Sequence, residues 1–362
     1  MRVLLISFSN LPVYANSLVI QKKYLSESVE TYGLGSNKFD NLYLKNKEDF
    51  TFLTVNTSLT PRPSFESFKI WKKEKSKIIN FIKVNKITHI YFINKHIWNL
   101  FLIASIQNLN IKVYHCLHDP IGHNGDKISK GVLYYNKVLI HYLDGIVVLS
   151  DNSYNDTKNY LKPKCNIVKL PLIQTEWLPF TNLRNFNTVL FFGRLNNYKG
   201  LDYVPLLADE MFKLDPTIQI IVAGKKSDDL DESVLTNLSN RPNIKLYEGF
   251  VDESKLGDYY FESSMVLIPY KSITQSGIIV DSYNHSRTIA CFNIKGIEEF
   301  ITNENAIIID NFDYKLMAKK IVETLHNKEE LEKLSKASYE LGKELYSPEI
   351  WKEKFIEFLK NY

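Results

Sequence analysis

The sequence predicts an α/β protein built from two Rossmann-like domains, each with a doubly wound parallel sheet. The chain has 362 residues, which is the length of two domains of ordinary size. In both halves, short apolar runs of the kind that form buried strands alternate with stretches that have helical periodicity. Between the halves, residues 163–187 contain three prolines and lose this alternation. We therefore place an interdomain linker there, with the binding cleft expected between the two domains.

The order of elements follows from these patterns. In the first half, strands are expected at residues 3–8, 50–55, 87–93, 111–116 and 146–149, and helices at 18–30, 65–86, 98–107 and 151–160. In the second half, strands are expected at 188–192, 218–223, 244–247, 265–268, 288–292 and 306–309, and helices at 201–214, 233–239, 255–263, 314–326, 328–345 and 349–359. The last helix carries Trp351, Phe355 and Phe358 on one stripe, which would pack either on its own domain or back on the first.

Composition narrows the functional class. The net charge of +4 and the pI near 8.6 are too mild to indicate a nucleic-acid partner, although they suit an anionic ligand or a membrane surface. The three cysteines, Cys116, Cys165 and Cys291, have no spacing typical of a disulfide framework or a zinc site, which fits a reducing cytosol. The apolar run at the N-terminus is too short for a signal peptide, and no segment approaches the length of a membrane span.

Two common cofactor or metal motifs are missing or weak. No Gly-x-Gly-x-x-Gly follows the first strand of either half, which argues against a dinucleotide-dependent dehydrogenase. Asp229 and Asp231 form an Asp-x-Asp pair, a pattern that holds magnesium in some transferases, but they stand directly before a predicted helix and are better interpreted as a cap.

A lysine-rich amphipathic helix is predicted at residues 65–86. Six lysines lie between Lys69 and Lys83, interleaved with apolar residues at helical spacing. One interpretation is contact with anionic lipid head groups. The other is a solvated helix face of a lysine-rich protein, packed on the sheet through its apolar side.

A polar loop after the strand at 111–116 is the candidate site of the first domain. It contains His118, Asp119, His123 and Asp126, and loops at the carboxyl ends of parallel strands are where open α/β sheets bind ligands. His118 with Asp119 would serve as hydrogen-bond donor or base toward a hydroxyl, with His123 on the acceptor side. A metal site is a weaker alternative. The alternative without a binding function is a polar turn in which the aspartates cap the backbone.

The loop at residues 191–201 is the candidate site of the second domain. A strand ends at Gly193, and Arg194 and Lys199 then precede a predicted helix. Two cations and free backbone N–H groups at this position would converge on a phosphate or diphosphate. The alternative is a surface turn with two solvated charges.

These features of the second half resemble the nucleotide-sugar domain of GT-B glycosyltransferases, and most closely the large retaining family 4. The resemblance covers about residues 185–330. It is carried by short motifs in the family's order: Gly193-Arg194, Lys199-Gly200, Val222-Ala223-Gly224, Gly249-Phe250-Val251, Ile268-Pro269-Tyr270, Ser276-Gly277 and Gly296-Ile297-Glu298-Glu299-Phe300. The first half matches in architecture and in the His118-Asp119 loop.

The resemblance implies roles for individual residues. Arg194 and Lys199 would hold the donor's diphosphate and stabilise its departure without a metal or other cofactor. Asp281 would bind the ribose hydroxyls, although it replaces the second Glu of the family's Glu-x7-Glu element and Ile273 replaces the first. The remaining implied contacts are to the base, the diphosphate and the sugar, from Gly193, Gly249, Phe250, Val251, Tyr270, Thr274, Gln275, Ser276 and Gly277.

The resulting hypothesis is a glycosyltransferase in surface polysaccharide biosynthesis, of the capsule or lipopolysaccharide type. It would move a sugar from a UDP- or GDP-linked donor to a hydroxyl of a glycan or lipid-linked oligosaccharide, with retention. We expect an acceptor domain at 1–175, a nucleotide-sugar domain at 185–345 and a C-terminal helix at 346–362, in the cytoplasm or at the inner face of the membrane. The alternative, motivated by Ile273, is a non-catalytic member that binds a nucleotide sugar or a partner.

Overall fold

The computed structural model describes residues 1–43, 51–58, 61–121, 129–173, 177–184, 187–227, 230–251, 253–273 and 275–361. The chain divides into two compact units, one formed by residues 1–176 with 347–362 and the other by residues 177–346. Each unit has its own parallel sheet with helices around it, so the predicted fold class is confirmed.

The first unit has a seven-stranded sheet with the strand order β3-β2-β1-β4-β5-β6-β7. The strands are β1 Arg2–Ser7, β2 Glu30–Ser36, β3 Phe52–Val55, β4 His89–Phe92, β5 Lys112–Leu117, β6 Gly145–Val148 and β7 Asn166–Lys169. The helices are α1 Pro12–Ser26, α2 Asp40–Tyr43, α3 Phe65–Val84, α4 Ile97–Ile106, α5 Ser129–Leu139 and α6 Asp151–Asp156, the last continued by a π-helical turn, Thr157–Leu161.

The second unit has a six-stranded sheet with the strand order β10-β9-β8-β11-β12-β13. The strands are β8 Thr188–Phe192, β9 Gln219–Gly224, β10 Ile244–Glu248, β11 Met265–Ile268, β12 Thr288–Phe292 and β13 Ala306–Ile309. The helices are α7 Tyr203–Leu214, α8 Glu232–Ser239, α9 Glu253–Phe261, α10 Gly277–Asn284, α11 Tyr314–His326 and α12 Lys328–Leu345.

The strands are parallel, and those in the middle of each sheet are buried, which explains their apolar runs. Every residue of β11 and β12 is buried, as expected for strands covered by helices on both faces. In each sheet the strand order reverses once, between β1 and β4 in the first unit and between β8 and β11 in the second. Ligands of open α/β sheets bind outside the carboxyl ends of the strands at such a switch point.

The chain ends in α13 Pro348–Asn361, which belongs to the first unit. Its apolar stripe contacts aromatic side chains of that sheet: the ring of Phe355 lies 4.6 Å from the ring of Tyr91, and the ring of Phe358 lies 5.4 Å from that of Tyr114. Lys352 forms an ion pair of 2.6 Å with Glu27, just after α1. Residues 347–362 therefore complete the unit that the chain leaves at residue 176.

Two strands, β2 and β7, differ from the sequence prediction, and the helices α2, α5 and α10 were not predicted. Residues 30–36 form β2, although the sequence indicated only the end of the preceding helix; two glycines, poor strand formers, hid this strand. A Cβ on Gly33 would collide with the ring of Phe52, and one on Gly35 would lie 2.6 Å from the ring of Tyr43, so close aromatic packing requires both. The short strand β7 lies inside the stretch assigned to the linker, where it pairs with β6.

Candidate functional site

The switch point of the second sheet brings together the loops that follow β8 and β11. The first loop begins at Gly193, whose φ of +114° lies in the left-handed region. Its N–H donates to the Ala223 carbonyl at 3.0 Å, and a Cβ on Gly224 would collide with the Gly193 carbonyl oxygen. The loop therefore leaves the sheet in close contact with the end of β9.

The next turn directs Lys199 into the site. Residues Asn197–Lys199 form a single 3₁₀ turn that ends at Gly200, with φ of +71°. A Cβ on Gly200 would collide with the carbonyl oxygen of Pro269, in the loop after β11. The N–H of Lys271 donates to the Tyr198 carbonyl at 2.9 Å, so the two loops are joined on either side of Lys199.

Lys199 is a buried cation. Its side chain is only 8% exposed, and its Nζ lies 5.4 Å from the ring centre of Tyr270. A Cβ placed on Gly193 would be 2.7 Å from this Nζ and 3.4 Å from the Ile278 side chain, so the ammonium lies beside the first turn of α10. Burial lowers the pKa of Lys199, and the nearby Arg194 guanidinium lowers it further. Among the described residues, no carboxylate forms an ion pair with it.

The N-terminus of α10 adds hydrogen-bond donors at the same place. Its N-cap residue, Ser276, makes no side-chain cap hydrogen bond within the described part of the chain, and its hydroxyl instead lies 3.5 Å from that of Tyr270. The Nε2 of Gln275 is buried and has no partner among the described residues. Gly277 begins the helix. A buried cation, an unused amide donor and a helix N-terminus without a side-chain cap make this position a candidate anion site.

The other residues predicted for this site include Arg194 and the loop at residues 249–251. Arg194 is exposed, on the same loop as Lys199. Gly249 follows β10 with φ of +141° and donates its N–H to the Gly224 carbonyl at 3.0 Å; Phe250 is 70% exposed and Val251 half-buried.

Asp281 lies one turn into α10. It is 9% exposed, and its negative charge contributes to raising the pKa of the buried Tyr260 hydroxyl, after burial itself. The described structure thus brings Lys199, Tyr270, Gln275, Ser276 and Gly277 together, with Asp281 deeper on the same helix. Thr274 lies outside the described residues.

In the first unit, the predicted loop opens on a cavity of about 560 Å³ at the carboxyl ends of β1, β4 and β5. His118 Nε2 donates a hydrogen bond to the Ile93 carbonyl at 2.9 Å. Although burial opposes it, the nearby Cys116 and Tyr14 side chains and this hydrogen bond hold the pKa of His118 well above its ordinary value. The Tyr14 ring packs edge-on against the imidazole at 5.5 Å. Asp119 is half-buried beside it, and its backbone carbonyl accepts from Asn136 Nδ2 at 3.3 Å. His123 and Asp126 lie outside the described residues.

Three further residues of this cavity were not predicted: Asn94, His96 and His115. Burial lowers the pKa of His96 to about 4 and that of His115 to about 3, so both are neutral at physiological pH. Asn94 follows β4 as His118 follows β5, and its position next to the switch point was a usable signal. His115 lies inside strand β5, and nothing about its position in the sequence indicated a site residue.

Neither a metal site nor a membrane-spanning helix is found among the described residues. They contain no group of three or more His, Cys, Asp or Glu side chains placed to hold a metal ion, and Asp229 lies outside them. No helix in the described ranges combines the length and apolar composition that a membrane span requires.

Comparison with known proteins relates this geometry to a family. Residues 186–327 match the family described as glycosyl transferases group 1. Over 267 residues, 72% of each chain, the sequence is 24% identical to an uncharacterized glycosyltransferase from Haemophilus influenzae.

Solved structures share the fold. A TarM variant from S. aureus, crystallised with fondaparinux, α-GlcNAc-glycerol and UDP, is similar with a TM-score of 0.63 and 18% identity, over 74% of this chain but only 55% of that one. Anabaena HepE, crystallised with UDP and glucose, is similar over the full length of both chains, with a TM-score of 0.73 and 12% identity. The fold of the present chain is GT-B, as the sequence predicted.

Proposed function

We propose that this protein, a glycosyltransferase of the GT-B fold resembling the glycosyl transferases group 1, moves a sugar from a nucleoside diphosphate sugar to a hydroxyl group of a glycan or lipid-linked oligosaccharide. The observation that carries the proposal is the buried ammonium of Lys199 beside the N-terminus of α10, at the switch point of the second sheet. A buried cation without an ion-pair partner among the described residues is costly unless a ligand brings an anion.

The proposed chemistry is stabilisation of the departing diphosphate. As the bond between the sugar and the diphosphate breaks, negative charge builds up on the diphosphate oxygens. Lys199, Arg194 and the first N–H groups of α10 would hold that charge, and Lys199 would act most strongly because it is shielded from water. In this proposal these groups supply the positive charge without a metal ion.

The donor is proposed to be a UDP-sugar, transferred with retention. Structures of TarM and HepE contain UDP, and retention is what the resemblance to family 4 implies. The loop at residues 249–251 would contact the base through its backbone and the exposed ring of Phe250, and Asp281 would bind the ribose. In the first unit, His118 would contact a hydroxyl of the donor sugar or of the acceptor, with Asp119 beside it.

Calorimetric titration of UDP and GDP into wild-type protein and Arg194→Ala tests the diphosphate assignment. Loss of one charge-assisted contact costs about 1.5–3 kcal/mol, so the variant should bind roughly 10-fold to 100-fold more weakly. Lys245→Ala, at an exposed position on β10, is the matched control for loss of one positive charge. Equal UDP affinity in wild type and Arg194→Ala would remove Arg194 from the site.

A second candidate function is binding of a nucleotide sugar without transfer. Ile273, which is buried, stands where the resemblance places an acid that contacts the transferred sugar. Incubation with a panel of nucleotide sugars in the absence of acceptor separates the two functions. Slow release of free sugar from any donor supports the transferase, while tight donor binding with no release and no transfer supports the binding protein.

Helix α3 is proposed to hold the protein at an anionic membrane surface, which would place it at the inner face of the cell membrane in surface polysaccharide biosynthesis. Its core side is formed by Trp71, Ile78 and Ile82, and its lysines at positions 69–83 are exposed. At the N-terminal end, Phe65 is 85% exposed, and the Lys72 ammonium lies 4.7 Å from the exposed Phe68 ring. Cations next to exposed rings suit the head-group region, at about 1 kcal/mol per well-placed lysine.

Co-sedimentation with vesicles tests this attachment. The protein should sediment with phosphatidylglycerol vesicles at low salt, sediment less at high salt, and stay in solution with phosphatidylcholine alone. Sedimentation that is independent of both salt and anionic lipid would refute it.

A further inference from the structure

Arg287 is a fully buried arginine in the turn between α10 and β12. It directly precedes β12, and its side chain is 0% exposed. Burial, with a smaller contribution from the nearby Arg184, lowers the pKa of the guanidinium to about 10, so the side chain is still a cation at physiological pH. Among the described residues, no carboxylate forms an ion pair with it and its Nη2 has no hydrogen-bond partner. A buried cation with incomplete hydrogen bonding is costly, so stability alone does not explain it.

The guanidinium of Arg287 binds backbone carbonyls at the ends of two helices. Its Nε donates to the carbonyls of Tyr260 at 2.7 Å and Ser263 at 2.6 Å, in and just after the last turn of α9. Its Nη1 donates to the carbonyls of His285 at 2.8 Å and Ser286 at 3.1 Å, directly after α10. The last carbonyls of a helix lack a partner within it and carry the negative end of its dipole, so a cation is favourable there. One nitrogen binds each helix end, and the side chain joins the two.

The same end of α10 also contacts α9 through side chains. The imidazole of His285 stacks on the ring of Tyr260, with the ring centres 4.4 Å apart. His285 Nδ1 donates to the Asp281 carbonyl at 2.7 Å. Ser286 follows with φ of +57°, a left-handed conformation that a residue with a Cβ keeps only where its surroundings hold it. Arg287 Nη1 binds the carbonyls of the two peptide groups on either side of Ser286, so it stabilises this turn.

The opposite end of α10 is the candidate anion site. The helix has eight residues, so its two ends are about 12 Å apart. Its first turn begins at Gly277, and the Ile278 side chain lies beside the Lys199 ammonium. A rotation of about 5° around the C-terminal end would move the first turn by about 1 Å, which is enough to break a hydrogen bond to a bound oxygen. The position of the N–H groups at one end therefore depends on the hydrogen bonds at the other.

We propose that Arg287 is a positioning residue for diphosphate binding. It holds the C-terminal end of α10 to α9 and thereby fixes the first turn of α10 beside Lys199. The proposal rests on the proposed function and deepens it, because it adds a residue that acts on the diphosphate without contacting it.

Arg287→Lys separates positioning from stability. Lysine keeps the charge, but its single nitrogen replaces two nitrogens that each bind one helix end, so one of the two connections is lost. Calorimetric titration well below the Tm should show UDP binding about 10-fold weaker than in wild type. Uridine, which lacks the diphosphate, should lose less than about threefold, because Asp281 lies closer to the C-terminal end of α10 and moves less.

Leu325→Ala is the control for stability. Leu325 is 2% exposed in α11, and its truncation should lower the Tm while UDP affinity stays within about twofold of wild type. If Arg287→Lys behaves in the same way, Arg287 is a structural residue and the proposal is overturned. An equal loss of UDP and uridine affinity would also overturn it, since the first turn of α10 would then not be the part that moved.

A second measurement needs no change at Arg287 and decides the question if Arg287→Lys does not fold. Because coupling between two sites is reciprocal, UDP should strengthen the hydrogen bonds of Arg287 in turn. In NMR spectra of wild-type protein labelled with ¹⁵N-arginine, saturating UDP should slow the exchange of the Arg287 Nε proton with solvent by about threefold or more. Replacing each of the other arginines by lysine, one at a time, identifies the signal, and unchanged exchange would overturn the proposal.

The two experiments distinguish this proposal from the proposed function. If wild type binds neither UDP nor GDP, the proposed function fails and the positioning role fails with it. If wild type binds UDP and Arg287→Lys binds it equally well, only the positioning role is refuted.

Discussion

Replacing Lys199 with methionine should weaken UDP binding and stabilise the ligand-free protein at the same time. The ammonium is 8% exposed, and burial lowers its pKa. Methionine has a similar length and no charge, so it removes the desolvation cost. The contact between the Lys199 ammonium and the Tyr270 ring is worth about 0.5–2 kcal/mol, and a methionine sulfur on the same ring recovers about 0.3–1.5 kcal/mol. These two ring contacts nearly cancel, which leaves the relief of desolvation as the net effect.

The sign of the stability change follows from linkage. Because the pKa of Lys199 is lower in the folded protein than in the unfolded chain, the unfolded state binds more protons between the two values, and stability rises with pH in that window. Below it, the buried charge is a constant cost that Lys199→Met removes. A gain of about 1 kcal/mol would raise the Tm by roughly 2–4 °C for a unit of this size. Loss of the contact to diphosphate should cost about 1.5–3 kcal/mol, or roughly 10-fold to 100-fold in Kd.

Differential scanning calorimetry and UDP titration measure the two effects. Lys225→Met, at an exposed position on the neighbouring loop, is the matched control and should change neither by much. UDP affinity within about twofold of wild type in Lys199→Met would show that the ammonium does not face the diphosphate. A lower Tm together with lost binding would show that Lys199 is a structural residue, and the stability–function argument would fail.

Three other predictions follow from the same contacts. UDP affinity should fall as the pH rises, already below the ordinary lysine pKa of about 10.4, because the lowered pKa of Lys199 lets it lose its proton at a lower pH than a free lysine does. Calorimetry of UDP binding to wild type and Lys199→Arg at several pH values checks this. The same dependence of UDP affinity on pH in both proteins would contradict it. Gly200→Ala should lower the Tm and weaken UDP binding, because a Cβ collides with the Pro269 carbonyl; unchanged values for both would refute the clamp. Phe355→Ala should cost about 3–5 kcal/mol in urea unfolding of the first unit, since its ring is fully buried against Tyr91; a loss under about 1 kcal/mol would contradict this packing.

Most strands of the two sheets could be predicted from the sequence alone. Apolar runs bounded by polar loops predicted most strands, because buried parallel strands have few alternatives. The pattern of apolar runs did not predict β2. This strand contains Gly33 and Gly35 because the rings of Phe52 and Tyr43 pack where a Cβ atom would otherwise lie. Those partners come from other elements, so no local pattern reveals them.

The residues of the candidate sites also differ in how much of their role could be predicted from the sequence. The positions of Gly193 and Lys199 in the chain predicted a phosphate loop, but the burial of the ammonium depends on Tyr270 and Ile278, which lie about 70 residues further along. In the first unit, His118 was predicted from its position after a strand, whereas His115 lies inside β5 and lines the cavity without a local sequence signal.

The two units arrange the strands around their switch points in the same order, but they differ in the ionisable side chains that lie there. In the second, a cation is buried among donors, an arrangement that favours a bound group with negative charge. In the first, burial lowers the pKa of His96 to about 4 and that of His115 to about 3, while the pKa of His118 in the same cavity is raised well above its ordinary value. Strand order therefore predicts where each unit would bind a ligand, and the protonation states of the buried side chains would determine which chemical groups that ligand carries.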